Sequence, residues 1–163
     1  MTFDPLEFRS VIGHFATGVT VITTAAGEEL QGMTANAVTS LSLDPVMMLI
    51  CVDKGSHTHR LLDEGGVFTV NILEAHQEEV SRLFAKKAPP ETGTLRGQRF
   101  TLGVTGAPIL EDCLAYLECR VAGVLDGGDH SIFLGEVVEG RVASEGRPLI
   151  FYRAAYHLLQ DGD

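Results

Sequence analysis

The chain has 163 residues, 45% hydrophobic and 21% charged, a balance that supports one buried core, so residues 1–163 are read as a single domain. Twelve Lys and Arg stand against 22 Asp and Glu, and the formal charge of −10 repels phosphate backbones and anionic lipid. Non-specific nucleic-acid and membrane-surface binding are excluded, and any anionic ligand must be held locally.

The longest apolar run, residues 46–52, is far short of the ~20 residues of a bilayer span, and no basic-then-apolar leader follows Met1. Cys51, Cys113 and Cys119 are odd in number and lie in apolar surroundings, which reads as three reduced, buried thiols in a cytoplasmic protein.

Asp4-Pro5-Leu6-Glu7 starts a helix that runs to about Phe15, with Asp as cap and proline in the first turn. From Gly18 the period is two: Val19, Val21 and Thr23 alternate with Thr20, Ile22 and Thr24. The turn Ala26-Gly27-Glu28-Glu29 then leads into a strand over 30–35, forming a hairpin. Residues 46–52 and 67–73 read as strands buried on both faces. Between them, 56–64 carries a helix cap at its start and the stop Gly65-Gly66 at its end.

Residues 75–85 put Val80, Leu83 and Phe84 on one helical face, and 86–99, with Pro89-Pro90, Gly93 and Gly97, is a long surface loop. Arg82, Lys86, Lys87, Arg96 and Arg99 fall in or beside it, so it is either a solvated helix end or an anion-facing flap. Residues 115–125, 131–142 and 149–159 are strand-like runs, and Asp126-Gly127-Gly128-Asp129 turns between the first two. Sequence-adjacent hairpins do not alternate as βαβ units. About six or seven such strands hide their edges best in a closed or nearly closed antiparallel barrel, so the expected fold is mainly β with short helices.

No P-loop, Rossmann fingerprint, nucleophile elbow or H-E-x-x-H is present. His57 and His59 follow Cys51, but two residues apart on a helix they point to different faces, and no metal site is expected. Two segments are unusual. GMTANAVTSLSLDP, residues 32–45, puts small and hydroxylic residues where a strand should carry bulk, which leaves backbone and hydroxyl groups to a flat ligand. DKGSHT, residues 53–58, sets a lysine, two hydroxyls and a helix start after a buried strand, and the free amides and dipole there suit a phosphate. Singly, these are a Ser/Thr-rich edge and a helix cap; together they read as a ligand site.

The blocks occur in a fixed order: Phe8-Arg9 and Gly13, FATGVTVIT at 15–23, GMTANAVTSLSLDP, and CVDKGSHT at 51–58. VFTVNIL at 67–73 follows with Gln77 and RLFA at 82–85, then GAPIL, LECRV, GGDHSIFLGEV and PLIFYR. Over residues 8–157 this series resembles the flavin reductase-like family. The resemblance implies a flavin-binding split β-barrel, a homodimer, and NADH- or NADPH-dependent reduction of FMN or FAD that is released to a flavin-dependent monooxygenase.

Carried onto this chain, the resemblance implies that Thr34, Ala35, Asn36, Ser40, Leu41 and Ser42 contact the isoalloxazine, with Thr17 and Gly18 nearby. Asp53, Lys54, Ser56 and Thr58 would contact the phosphate, and Phe84 and Ala85 would lie beside the flavin. Gly128, Asp129 and His130 would meet the reduced nicotinamide. No catalytic acid or base is expected, because hydride transfer needs stacking, exclusion of water and a separation of ~3–3.5 Å. Two other readings stay open: a non-catalytic flavin or haem carrier or sensor on the same barrel, and a flavin-dependent oxidase.

Overall fold

The computed structural model describes residues 2–160. Helix α1 (Pro5–Ile12) starts where Asp4 accepts the Leu6 amide at 3.0 Å. It ends at Gly13, short of the expected Phe15. None of its residues is buried: Phe8, Val11 and Ile12 share one exposed apolar face, and Leu6 is exposed on the opposite side.

Strands β1 (Thr17–Gly18), β2 (Thr20–Ala26), β3 (Glu29–Ala35), β4 (Val38–Leu43) and β5 (Val46–Asp53) lead to helix α2 (His57–Gly65). Strand β6 (Val67–Ile72), helix α3 (Glu78–Phe84) and the short strands β7 (Glu91–Thr92), β8 (Phe100–Leu102) and β9 (Pro108–Leu110) follow. The long pair β10 (Ala115–Gly127) and β11 (His130–Val142) precedes β12 (Leu149–Tyr152) and β13 (Ala155–Leu158).

One eight-stranded antiparallel sheet runs β4-β5-β11-β10-β6-β2-β3-β7, beside a three-stranded sheet β1-β12-β13 and the pair β8-β9. Because β7 is a two-residue stub, the curled sheet amounts to seven strands and a stub. This is the expected split barrel, with β4 and β7 as unpaired edges.

Alternation along β2 sorts two cores. Ile22 faces an inner cluster with Ile50, Phe68, Val70, Cys119, Phe133 and Leu62 of α2. Val21 faces an outer cluster with Val19, Leu30, Leu73, Phe84, Leu95 and Leu149. The buried threonines of this strand each find a carbonyl: Thr20 donates to Ala35 O at 2.6 Å and Thr24 to Val67 O at 2.7 Å, which removes the cost of burying a bare hydroxyl. α2 closes as its sequence dictates, with Gly66 at φ +65° donating its amide to Leu62 O.

Three expectations change. Residues 149–159 are a hairpin, β12–β13, turned by Arg153 and Ala154, both at positive φ. The β10–β11 turn is tighter than expected, because both strands run on until Gly127 pairs with His130. Cys113 and Cys119 are buried, and burial pushes the Cys119 thiol up to about 12, but Cys51 is only half-buried. No helix among the described residues is long and apolar enough to cross a membrane.

Candidate functional site

Two cavities are lined by neighbouring stretches of the chain, the end of β3 and the start of β4. The larger, about 940 Å³, is walled mostly by apolar side chains from the end of α1, β4, β5 and β6, with Thr17, Gly18 and Asn36 on its rim. The smaller, about 260 Å³, takes in Thr34, Asp53, Ser56 and Thr58 beside the apolar Phe84 and Ala85. Thr34 lines the smaller and Asn36 the larger. Thr17 Oγ1 is buried without a hydrogen-bond partner, an unmet polar group in an apolar wall.

The smaller cavity is built on the turn that ends β5. Asp53 Oδ1 accepts the Gly55 amide at 2.7 Å, and the Asp53 carbonyl accepts the Ser56 amide at 3.1 Å and the Ser56 hydroxyl at 2.8 Å. Ser56 Oγ in turn accepts the His59 amide at 3.1 Å, so the serine is a true helix cap as well as a cavity residue. Thr58 is buried one residue into the helix.

Lys54 departs from the expected phosphate-facing position. Its ammonium pairs with Asp126 and donates to Gly128 O at 2.6 Å, and it does not line the cavity. The cations that do are Lys86 and Lys87, whose ammonium groups form no ion pair among the described residues. In the sequence they carry no signal beyond membership of a basic run.

The far wall depends on one close approach. Gly32 lets the buried Phe84 ring lie against β3, since a Cβ there would fall 2.7 Å from Phe84 Cε1. The segment after α3 is anchored, not a free flap. Leu95 is in the outer core, Arg96 donates to Lys86 O at 2.9 Å, and its guanidinium sits 5.8 Å over the Phe84 ring. The Glu91 carboxylate accepts the Thr94 hydroxyl at 2.7 Å and the Arg96 amide at 3.0 Å, and these bonds hold it below the usual carboxylate range. Arg82 pairs with Glu78 at 2.7 Å and Arg99 with Glu111 at 3.1 Å, so three of the five basic residues are already engaged.

His130 faces Asp53 across the β5–β11 ladder, with Nδ1 2.7 Å from Asp129 Oδ1 and the ring half-exposed. That contact holds the Asp129 carboxyl below its ordinary value. Gly128, Asp129 and His130 line neither cavity. Nor do Ser40, Leu41 and Ser42, which lie on edge strand β4 with Leu41 at a register shift, nor Ala35, which is buried.

Other chemistries find little here. Ser131, His59 and Asp63 form a chain, with Ser131 Oγ to His59 Nε2 at 2.8 Å and His59 Nδ1 to Asp63 at 3.3 Å. Ser131 is 6% exposed and lines no cavity, so this relay fastens α2 to β11 without offering a nucleophile to a substrate. Among the described residues no cluster of three or more potential ligands could hold a metal. No histidine lines the larger cavity, although Met48 and Cys51 do.

Residues 12–160 match the family description flavin reductase like domain. The chain is 40% identical over 155 residues to the reductase subunit HsaB of a flavin-dependent monooxygenase from Mycobacterium tuberculosis, covering 94% of this chain and 81% of that protein. It is 43% identical over 154 residues to an NADH-dependent FAD reductase of Streptomyces globisporus, covering 88% and 84%. The solved NADH:FAD oxidoreductase SgcE6 of Streptomyces globisporus superposes with a TM-score of 0.89 at 38% identity, covering 99% of this chain and 98% of that one.

Proposed function

The chain belongs to the family of flavin reductase like domains and is an NAD(P)H:flavin oxidoreductase; we propose that it is the reductase half of a two-component system, releasing reduced FMN or FAD to a flavin-dependent monooxygenase. The observation that carries the site is a small cavity bearing Asp53, Ser56, Thr58, Lys86 and Lys87 together with a large, mostly apolar one, with Thr34 lining the first and Asn36 the second. A flavin has both halves: a phosphate tail, and a flat ring with apolar faces and a polar edge.

The chain's residues fit that group. The opening of α2, the hydroxyls of Ser56 and Thr58 and the unpaired Lys86 and Lys87 supply local donors and charge for a phosphate on a protein of formal charge −10. The apolar walls and the unmet Thr17 hydroxyl suit a ring with a polar edge. Bound flavin supplies the hydride acceptor, and NADH or NADPH the hydride. Phe84 forms an apolar wall of the smaller cavity where its ring lies against β3. With Nδ1 engaged by Asp129, His130 keeps Nε2 to orient a nicotinamide nucleotide at the hairpin tip.

A homodimer is part of the proposal. The apolar face of α1, Phe15 at 72% exposed and Leu43 at 88% exposed, together with Ser40, Leu41 and Ser42 on an open edge, support a second copy that completes the ring's enclosure. Three free thiols suit the reducing cytoplasm.

The test is NADH and NADPH oxidation against FMN, FAD and riboflavin. A colourless protein that consumes NADH only with added flavin supports the reductase. Stoichiometric yellow colour that NADH does not bleach supports a carrier or oxidase, and a Soret band supports haem.

A further inference from the structure

We propose that Lys54 is a positioning residue for the nicotinamide side of the reaction, clamping the tip of the β10–β11 hairpin, and His130 with it, onto the turn that opens α2. The proposal rests on the reading of His130 as the nicotinamide contact. The β5–β11 ladder ends where His130 faces Asp53, and beyond that pair the tip consists of Gly128 and Asp129 alone.

Lys54, the next residue on the other side, makes three bonds to this tip. Its amide donates to Asp129 O at 3.1 Å, its ammonium donates to Gly128 O at 2.6 Å, and the same ammonium pairs with Asp126. Among the described residues no other side chain outside the tip bonds to residues 126–130. The contact between Asp129 and His130 is internal, so it orients the ring relative to the tip without fixing the tip to the barrel.

An exposed ion pair by itself contributes little, since salt screens it and two mobile side chains must be ordered. Here one ammonium serves a carboxylate and a carbonyl two residues apart, and the backbone bond from the same residue fixes where the side chain starts. The effect is geometric. A tip held at Asp126, Gly128 and Asp129 has little freedom to swing, whereas a two-residue turn held only by its own ladder frays. The ammonium is spent on the tip and Lys54 does not line the smaller cavity, which separates this role from flavin phosphate binding.

The experiment compares Lys54→Met, Lys54→Arg and His130→Ala in full-length protein, measuring the KM for NADH, the KM values for FMN, FAD and riboflavin, and amide exchange at residues 126–130. Lys54→Met should raise the KM for NADH about five- to ten-fold, leave all three flavin constants within two-fold, and speed amide exchange at the tip several-fold. Lys54→Arg should restore most of both. His130→Ala should raise the KM for NADH without speeding exchange. A ten-fold loss for FMN and FAD with riboflavin unchanged in Lys54→Met would make Lys54 a phosphate ligand and overturn the proposal. Unchanged tip exchange in that variant would refute the clamp. An unchanged KM for NADH in His130→Ala would refute the nicotinamide reading and take the proposal with it, even if the exchange result held.

Discussion

Gly32→Ala tests whether the wall of the smaller cavity depends on the contact between β3 and Phe84. The added Cβ would stand 2.7 Å from Cε1 and 2.8 Å from Cδ1 of the ring. Carbon pairs are at ease near ~3.5 Å, so ring and strand must separate by about 0.8 Å, the difference between 3.5 and 2.7. Phe84 is 2% exposed and packed in the outer core, so the ring has no solvent to swing into, and the strain passes to the end of α3 with Lys86 and Lys87. Overpacking of this kind costs ~1–3 kcal/mol, which for a domain of this size lowers Tm by roughly 2–12 °C.

Phe84→Ala alone should cost ~3–5 kcal/mol through the cavity it leaves. In the double variant the added methyl enters that space, so the cost should be less than the sum by at least ~1 kcal/mol. The assay is urea unfolding of the wild type, both single variants and the double variant, with FMN titration on the same samples. Additivity within about 0.5 kcal/mol would refute the contact as the basis of the wall. So would full stability in Gly32→Ala.

Ser56→Ala combined with Thr58→Ala should raise the constants for FMN and FAD by ten-fold or more and leave riboflavin nearly unchanged, each lost charge-assisted bond costing ~1.5–3 kcal/mol; equal weakening of all three flavins would point to a collapsed helix cap. Light scattering with flavin present should give twice the single-chain mass of 17.5 kDa, and a monomer at micromolar protein would remove the proposed enclosure. Because hydrogen bonds hold Glu91 below its ordinary value, its contribution to stability is complete above the ordinary range and is lost as pH falls through the depressed value. Proteolysis within 86–99 should therefore rise on acidification below pH ~4, and Glu91→Gln should be susceptible already at neutral pH; no difference between the two proteins would show that Glu91 does not fasten the loop.

Much of the barrel was legible because its signals are local. The period of two on β2 survives with both faces buried, since Ile22 and Val21 go to different cores and the threonines between them are satisfied by nearby carbonyls. Helix α2 carries its own start in Ser56 and its own stop in Gly66. The β12–β13 turn carried no such signal, because Arg153 and Ala154 adopt positive φ without the glycine or asparagine that announces it. Residues 86–99 looked like a surface loop by composition, yet the single leucine at 95 pins them into the core.

In the site, the composition of residues 32–45 and 53–58 pointed to ligand groups, but their division between two cavities depends on where β3, β5 and α3 meet. The place of Lys54 is not local either: its carboxylate partner is 72 residues away. Glu118 illustrates the limit from the other side. It sits in a strand-like run, yet it is 1% exposed because its carboxylate accepts the Val104 and Thr105 amides.

Perturbed carboxylates commonly mark active sites; here Glu91 and Asp126 mark fastenings, and Asp129 orients His130 within the hairpin tip. Glu91 is held below the usual range by the Thr94 hydroxyl and the Arg96 amide, Asp126 by Lys54, and Asp129 by His130, and none of the three lines either cavity. An enzyme that abstracts protons would keep such groups on the substrate. Hydride transfer asks instead that two flat rings meet at the right distance, so the chain's charges are spent on holding a loop and a hairpin tip where those rings are shaped and delivered. It follows that substitutions at these carboxylates should act mainly on KM or stability, whereas kcat should respond to changes in the packing of residues 32–36 and Phe84.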